Sequence, residues 1–139
     1  MPRDFKQVIA IEEEAFRDHD QFLYMKLYEM NSEGFLVAEM DDVVVGFAVG
    51  ILISKIEGRI FSIAVDKKNR KMGVATLLIK ELLNNFRKNG VIIVRLEVRK
   101  SNLIAQELYQ KLGFNMVDIF HKYYYDGESA LIMRKIIDR

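Results

Sequence analysis

One stretch, from Ile60 to Leu83, restricts the possible folds of this 139-residue chain more than any other part. Its first segment, Ile60–Val65, is short, apolar and rich in β-branched residues, which predicts a buried strand. Apolar residues then recur at helical spacing from Leu77 to Phe86, which predicts an amphipathic helix. The chain therefore passes from a buried strand into a helix through one short turn, as chains with mixed α/β sheets do.

The turn between this strand and this helix is basic and contains a single glycine. Arg70 and Lys71 carry positive charge, and Gly73 falls where the helix begins. The first amides of a helix lack intrahelical partners and lie at the positive end of its dipole. A glycine at this position lets a ligand approach the backbone closely. The turn is therefore suited to binding a phosphate, although Gly73 is equally compatible with an ordinary turn.

Two common phosphate-binding motifs are excluded by the same turn. A P-loop needs a second glycine and a Gly-Lys-Ser/Thr ending, and neither is present. A dinucleotide fingerprint needs Gly-x-Gly-x-x-Gly, whereas Gly73 is the only glycine of this turn. An anion bound here would be held by a different loop pattern.

Composition excludes several classes of function. The chain has no cysteine, which excludes disulfides, thiolate metal sites and a cysteine nucleophile. Its two histidines, His19 and His121, are far apart in sequence, so we expect no metal site. The net charge of +1 does not suggest a nucleic-acid partner. No apolar run approaches ~20 residues and no signal peptide is visible, so we expect one cytoplasmic domain over residues 1–139, with no membrane partner.

Hydrophobic periodicity and turn residues divide the rest of the chain into short elements. The first three predicted strands form an antiparallel meander, and a strand–helix–strand crossover then makes two central strands parallel. We therefore predict an α/β fold with a single mixed, mostly antiparallel sheet, one parallel central pair and about four flanking helices. The predicted elements are helices Phe5–Phe16 and Phe22–Met30, strands Phe35–Glu39, Val43–Ile53 and Arg59–Val65, a helix ending near Gly90, strand Val91–Val98, helix Leu103–Leu112, and strands Phe114–Lys122 and Ala130–Ile137.

Three polar side chains are predicted near the carboxyl ends of the parallel strands, where ligands of open α/β sheets gather. Glu97 lies in an apolar strand and shares a face with Arg95 and Arg99. Asn102 begins the next helix, and Tyr109 lies two turns further along it. Each also has a structural interpretation: an exposed carboxylate paired with arginine, a helix cap, and a core tyrosine with its hydroxyl at the rim.

Three motifs resemble those of one enzyme family. The spacing Arg70-x-x-Gly73-x-Ala75 resembles the pyrophosphate loop of the GCN5-related N-acetyltransferases (GNAT superfamily), Arg/Gln-x-x-Gly-x-Gly/Ala. The run Leu96–Phe114 resembles the Leu-Glu-Val-Arg-x-Ser-Asn-x-x-Ala-x-x-Leu-Tyr-x-x-x-Gly-Phe run of its RimI/Ard1 branch. The tail Tyr123–Met133 resembles the Tyr-Tyr-x-Asp-Gly-Glu-Asp-Ala-x-x-Met signature of that branch, which acetylates protein N-terminal α-amines.

The resemblance implies a GNAT fold whose first strand is short or missing before Asp4, with acetyl-CoA as cosubstrate and no metal. It implies that Glu97 is the general base and Tyr109 the general acid, and that Phe16, Tyr123 and Tyr124 flank the substrate peptide. The residues that it assigns to acetyl-CoA are Ile63, Ala64, Val65, Arg70, Lys71, Met72, Gly73, Val74, Ala75, Thr76 and Asn102.

The implied activity is acetyl transfer from acetyl-CoA to the N-terminal α-amine of proteins or peptides, by direct attack in a ternary complex. Ribosomal proteins and nascent chains are the expected partners. An α-amine has a pKa near 8 and must lose a proton before it attacks, which Glu97 could accept directly or through water. Acetylation of a lysine side chain or a small amine, and CoA binding without turnover, remain alternatives. The oligomeric state does not follow from the sequence.

Overall fold

The computed structural model describes residues 7, 8, 10, 11, 34–70 and 73–137. Within them, one six-stranded sheet is flanked by two α-helices. The elements in chain order are β1 (Phe35–Met40), β2 (Val43–Leu52), β3 (Glu57–Val65), α1 (Val74–Lys88), β4 (Ile93–Arg99), α2 (Leu103–Lys111), β5 (Asn115–Phe120) and β6 (Ala130–Ile136).

The strand order is β1-β2-β3-β4-β6-β5, and β3 and β4 are its parallel pair. The predicted mixed, mostly antiparallel sheet with a parallel central pair is therefore confirmed, and two of the flanking helices lie complete within the described residues. Gln7, Val8, Ala10 and Ile11 are helical, as the predicted first helix requires. The remainder of that helix, the predicted helix Phe22–Met30 and any strand before Asp4 lie outside the described residues.

Helix α1 packs on one face of the sheet, where two strand glycines make room for Phe86. A Cβ added at Gly50 would lie 2.8 Å from the Phe86 ring, and one at Gly58 would lie 2.5 Å from it. Glycine at these two positions therefore permits the close approach of the Phe86 ring to the sheet. The predicted strand Arg59–Val65 begins two residues earlier than expected, at Glu57, so Gly58 lies inside it.

The opposite face of β1 and β2 carries a second apolar cluster. Val8 and Ile11 are buried there against the sheet, which places the N-terminal helical residues on the face away from α1. The sheet is thus covered on both sides, as expected for an α/β layer architecture. None of the helices in the described ranges is long and apolar enough to cross a membrane.

A β-bulge in β3 opens the sheet between the two parallel strands. Val49 pairs with Ser62 and Gly50 with Ile60, so Phe61 is the extra residue that forms the bulge in β3. The last parallel pair is Ile60 with Leu96, immediately before the bulge. Because a bulge bends its strand and increases the local twist, β3 and β4 separate beyond this point. The parallel ladder has no pair beyond Ile60 and Leu96 in these two described strands, and we call the gap between their carboxyl ends the cleft.

Candidate active site

The β3 side of the cleft presents backbone groups. The Asp66 amide donates to the Val45 carbonyl at 2.8 Å, which makes Asp66 and Val45 a hydrogen-bonded pair of the antiparallel ladder. Since such pairs alternate along the strand, the amides and carbonyls of Ile63 and Val65 point away from β2 and toward the cleft. Fixed N–H donors at this position can bind a carbonyl oxygen or the oxyanion formed from it.

The first turn of α1 forms an anion site beside this strand end. Gly73 has φ +81°, a left-handed conformation that favours glycine, and no side chain caps the helix. The first intrahelical bond runs from the Leu77 amide to the Gly73 carbonyl at 3.1 Å. The amides of Val74, Ala75 and Thr76 precede that bond and so have no intrahelical acceptor. A Cβ at Gly73 would meet nothing within 4 Å, so a ligand can reach this backbone.

This first turn fits a diphosphate, because it offers several convergent amides, the positive end of a helix dipole and open space. No acidic residue lies in the first turn of α1 to oppose an anion. Lys71 and Met72, which were predicted to join this site, lie outside the described residues.

Arg70, whose charge was predicted to help bind an anion, also makes a hydrogen bond to the backbone. Its Nε donates to the Val65 carbonyl at 3.0 Å. The contact ties the turn to the end of β3, just ahead of the first turn of α1. Arg70 thereby fixes the position of the anion site relative to the strand, while its side chain stays largely exposed.

Glu97 lies on the β4 side of the cleft and pairs with an arginine from the neighbouring strand. Its Oε2 atom is 3.0 Å from an Nη of Arg59, and the two side chains are 18% and 30% exposed. Burial alternates along β4, with Leu96 and Val98 in the core, so Glu97 faces away from α1 and α2 as predicted. Arg95, on the same strand as Glu97, pairs instead with Glu57, at 2.9 Å.

Arg99, at the end of β4, anchors the loop that follows β5. Its guanidinium is 2.9 Å from Asp126 Oδ2 and 3.1 Å from Glu128 Oε2, and lies 4.0 Å from the Tyr124 ring centroid. Glu128 also accepts from the Ser101 amide at 2.8 Å, and its hydrogen bonds to Ser101 lower its pKa. These contacts hold the loop against the start of α2, which places its tyrosines next to the cleft.

Three tyrosines converge on this end of the sheet. The Tyr123 hydroxyl hydrogen-bonds the Glu97 carboxylate, and this bond, followed by burial, raises the pKa of Tyr123. Burial, with the charge of Glu97 as the next cause, raises the pKa of Tyr124 to about 12. Burial also raises the pKa of Tyr109, with the neighbouring Tyr124 as a second cause. All three phenols therefore keep their protons at neutral pH.

The remaining predicted site residues are Asn102, Phe16 and Tyr109. Asn102 caps α2, since its Oδ1 accepts from the Ala105 amide at 3.2 Å. Its structural interpretation is thus observed, and its proposed contact with acetyl-CoA stays a prediction. Phe16 lies outside the described residues. Tyr109 is buried and packs edge-on against Phe114, with ring centroids 5.9 Å apart, so it belongs to the core as well as bordering Tyr124.

Arg59 is the residue of this cluster that sequence reasoning missed. Its partner Glu97 lies in a different strand, so the pair becomes visible only once β3 and β4 are in register. A signal was available, because a charged residue inside an apolar strand requires a partner. Pairing Arg59 with the carboxylate predicted on the parallel neighbour would have found it.

Comparison with known proteins identifies the class to which this fold and cleft belong. The model of the acetyltransferase (GNAT) family matches residues 5–114, and the chain belongs to this family of acetyl-CoA-dependent N-acetyltransferases.

More particular similarities point to the RimI/Ard1-like members. An N-alpha-acetyltransferase of Sulfurisphaera tokodaii is 32% identical over 94% of this chain and 86% of its own length. The crystal structure of Ard1 from Thermoplasma volcanium has a TM-score of 0.95 and 34% identity, over 100% of this chain and 95% of that one. The ribosomal-protein-S18-alanine N-acetyltransferase of Escherichia coli has a TM-score of 0.86 and 30% identity, over 100% and 91%. The chain is therefore a RimI/Ard1-like GNAT protein.

Proposed function

We propose that this protein transfers the acetyl group of acetyl-CoA to the N-terminal α-amine of proteins, ribosomal proteins or nascent chains among them. The observation that carries the proposal is the cleft opened by the bulge at Phe61. An anion site and inward-pointing amides border it on one side, and Glu97 with its tyrosines borders it on the other. A thioester and an amine can meet between these two sides.

The proposed binding of acetyl-CoA follows from the groups along β3 and α1. The amides of Gly73–Thr76 bind the diphosphate, helped by Arg70 and by Lys71 and Met72 of the same turn. The backbone of Ile63–Val65 binds the pantetheine arm and places the thioester carbonyl toward the cleft. Asn102 borders the same arm from the start of α2. No metal ligand is needed for any of these contacts.

The proposed chemistry is direct attack in a ternary complex. The neutral amine nitrogen bonds to the thioester carbonyl carbon, and the proton that it sheds passes to Glu97 directly or through a water. The amides of Ile63 and Val65 offer donors for the oxyanion. The C–S bond then breaks, and Tyr109 can protonate the departing thiolate because burial keeps its hydroxyl protonated. The products are the acetylated amine and CoA.

The preference for an α-amine rests on the relatives and on the tyrosine loop. Alanine has no side-chain amine, so an alanine N-acetyltransferase such as the Escherichia coli relative modifies an α-nitrogen. The Sulfurisphaera tokodaii relative is named an N-alpha-acetyltransferase. In this chain, Tyr123 and Tyr124 border Glu97 and are proposed to flank the substrate peptide together with Phe16.

A peptide panel tests the choice between an α-amine and a lysine side chain. We expect acetyl-CoA to be consumed with peptides that carry a free N-terminus, whether or not they contain lysine. Peptides with a blocked N-terminus and an internal lysine should be modified at least about tenfold more slowly. Mass spectrometry of the products assigns the modified nitrogen. Modification confined to blocked, lysine-containing peptides would refute the α-amine proposal.

The raised pKa values of the tyrosines predict the shape of the pH profile. As the pH rises through about 8, the substrate amine loses its proton and kcat/KM should increase. Burial raises the pKa of Tyr109, and that of Tyr124 to about 12, so neither should lose its proton below about pH 10. We therefore expect a rise followed by a plateau up to that pH.

Initial rates at saturating acetyl-CoA would measure this profile, with circular dichroism at each pH to show that the protein stays folded. A fall in kcat centred near pH 9, in protein that is still folded, would contradict a buried tyrosine as the proton donor.

A further inference from the structure

Arg59 makes several contacts around the proposed base. It lies on β3 two residues before the bulge, and its Nη is 3.0 Å from Glu97 Oε2. It also hydrogen-bonds Tyr123, which in turn hydrogen-bonds Glu97. Its guanidinium carbon lies 5.6 Å from the Phe61 ring centroid. One arginine thus contacts the base, the tyrosine beside the base and the bulged residue that opens the cleft.

A second ion pair on the same two strands offers a comparison. Arg95 of β4 pairs with Glu57 of β3 at 2.9 Å, whereas Arg59 of β3 pairs with Glu97 of β4. The two arginines are register partners in the parallel ladder, so each carboxylate offsets the charge of an arginine on the neighbouring strand. Arg95 is the more exposed, at 46% against 30% for Arg59, and its carboxylate partner Glu57 lies at the start of β3, the end of the strand away from the cleft.

Arg59 also carries a cost that Arg95 does not. Its Nε is buried and has no hydrogen-bond partner within the described part of the chain. An unsatisfied buried donor is unfavourable, and such groups in folded proteins call for an explanation. The contacts of the guanidinium with Glu97 and Tyr123 supply one, because a planar fork restricts a carboxylate more strongly than a flexible ammonium does.

We propose that Arg59 is a positioning residue for acetyl transfer, which orients the Glu97 carboxylate toward the substrate amine. The inference rests on the proposed function, in which Glu97 accepts the proton. Glu97 lies on the β4 side of the cleft and has a flexible side chain, and the pair with Arg59 restricts its Oε2 atom to one side. Arg59 itself touches neither the amine nor the thioester and acts through Glu97.

The test compares substitutions of Arg59 with the matched change at Arg95. Arg59→Met, which keeps length but removes the charge and the fork, should lower kcat about tenfold, the scale of a lost charge-assisted contact. Arg59→Lys should recover part of that loss. The KM for acetyl-CoA should change little in either variant, because Arg59 lies on the face away from α1. Arg95→Met should leave kcat within about twofold.

A double-mutant cycle separates positioning from a general structural effect. If Arg59 acts through Glu97, adding Arg59→Met to Glu97→Gln should cause no further loss of kcat. Thermal melting of each variant shows whether it is folded, and Arg59→Lys carries the test if Arg59→Met does not fold.

The outcomes distinguish the inference from the proposed function. A full additional loss of kcat in the double variant, or equal losses in Arg59→Met and Arg95→Met, would overturn the positioning role while leaving Glu97 as base. Unchanged kcat in Arg59→Met and Arg59→Lys would also overturn it. If Glu97→Gln alone has no effect, the proposed base fails, and the role of Arg59 fails with it.

Discussion

Replacing Glu97 by glutamine should lower kcat for peptide acetylation by about 10²–10⁴-fold, the usual contribution of a positioned general base. Glutamine keeps the shape of the side chain and can still accept hydrogen bonds from Arg59 and Tyr123, but it cannot accept the proton of the amine. Acetyl-CoA binding should be retained, since the proposed contacts lie on β3, α1 and the start of α2. Isothermal titration with CoA and steady-state kinetics at saturating peptide would measure the two effects separately.

Glu57→Gln is the matched control for this variant. It makes the same chemical change in the same sheet and breaks the pair with Arg95, but it lies outside the cleft. We expect its kcat to stay within about twofold of the wild type. If Glu97→Gln also stayed in that range, Glu97 would not be the base. If the wild-type protein bound CoA but acetylated no peptide, the alternative that it is a CoA-binding module would be favoured instead.

The second large effect is expected on stability, from Phe86→Ala. Phe86 is 6% exposed and its ring lies against the backbone of Gly50 and Gly58. Truncation removes this buried surface and leaves a cavity that glycines cannot fill, so the free energy of unfolding should fall by about 3–5 kcal/mol. This is a large share of the stability of a small protein. Urea denaturation followed by circular dichroism would measure it.

Leu77→Ala on the same helix provides the comparison, because Leu77 is 68% exposed. Its unfolding free energy should change by less than about 0.5 kcal/mol. Equal losses in both variants would mean that helix propensity, rather than the packing of Phe86 on the glycines, determines the stability of α1.

Much of the fold follows from local patterns. The strand Val43–Ile53 and the helix Leu103–Leu112 were predicted within one residue of their observed ends, because alternation, caps and glycine stops are encoded nearby in sequence. The parallel pairing of β3 and β4 followed from the crossover between them. The predicted strand Arg59–Val65 left Gly58 out, because the ring of Phe86 that requires a glycine there is distant in sequence.

The cleft was less predictable from the sequence than the strands and helices that surround it. Glu97 and Gly73 stood out by residue type and position, and the structure brings both to the same end of the sheet. The bulge at Phe61 leaves no composition signal, since nothing in that apolar segment marks where the register between β2 and β3 will shift. The contacts of Arg99 depend on a folded loop, which one sequence does not reveal, and the pair of Arg59 with Glu97 can be assigned only after β3 and β4 are placed side by side.

Because the cleft opens at the β-bulge of Phe61, it depends on the number of residues in β3 more than on the side chains that they carry. Before the bulge, the even-numbered positions Gly58 and Ile60 face α1. After it, the odd-numbered Ile63 and Val65 do, so the bulge shifts by one residue the alternation of faces along β3. Deleting one residue at the bulge would let β3 and β4 continue to pair, and the cleft would be lost. Substitutions along the same segment would leave it in place. We therefore expect the cleft to tolerate point mutations in this segment and to be lost on deletion of one residue.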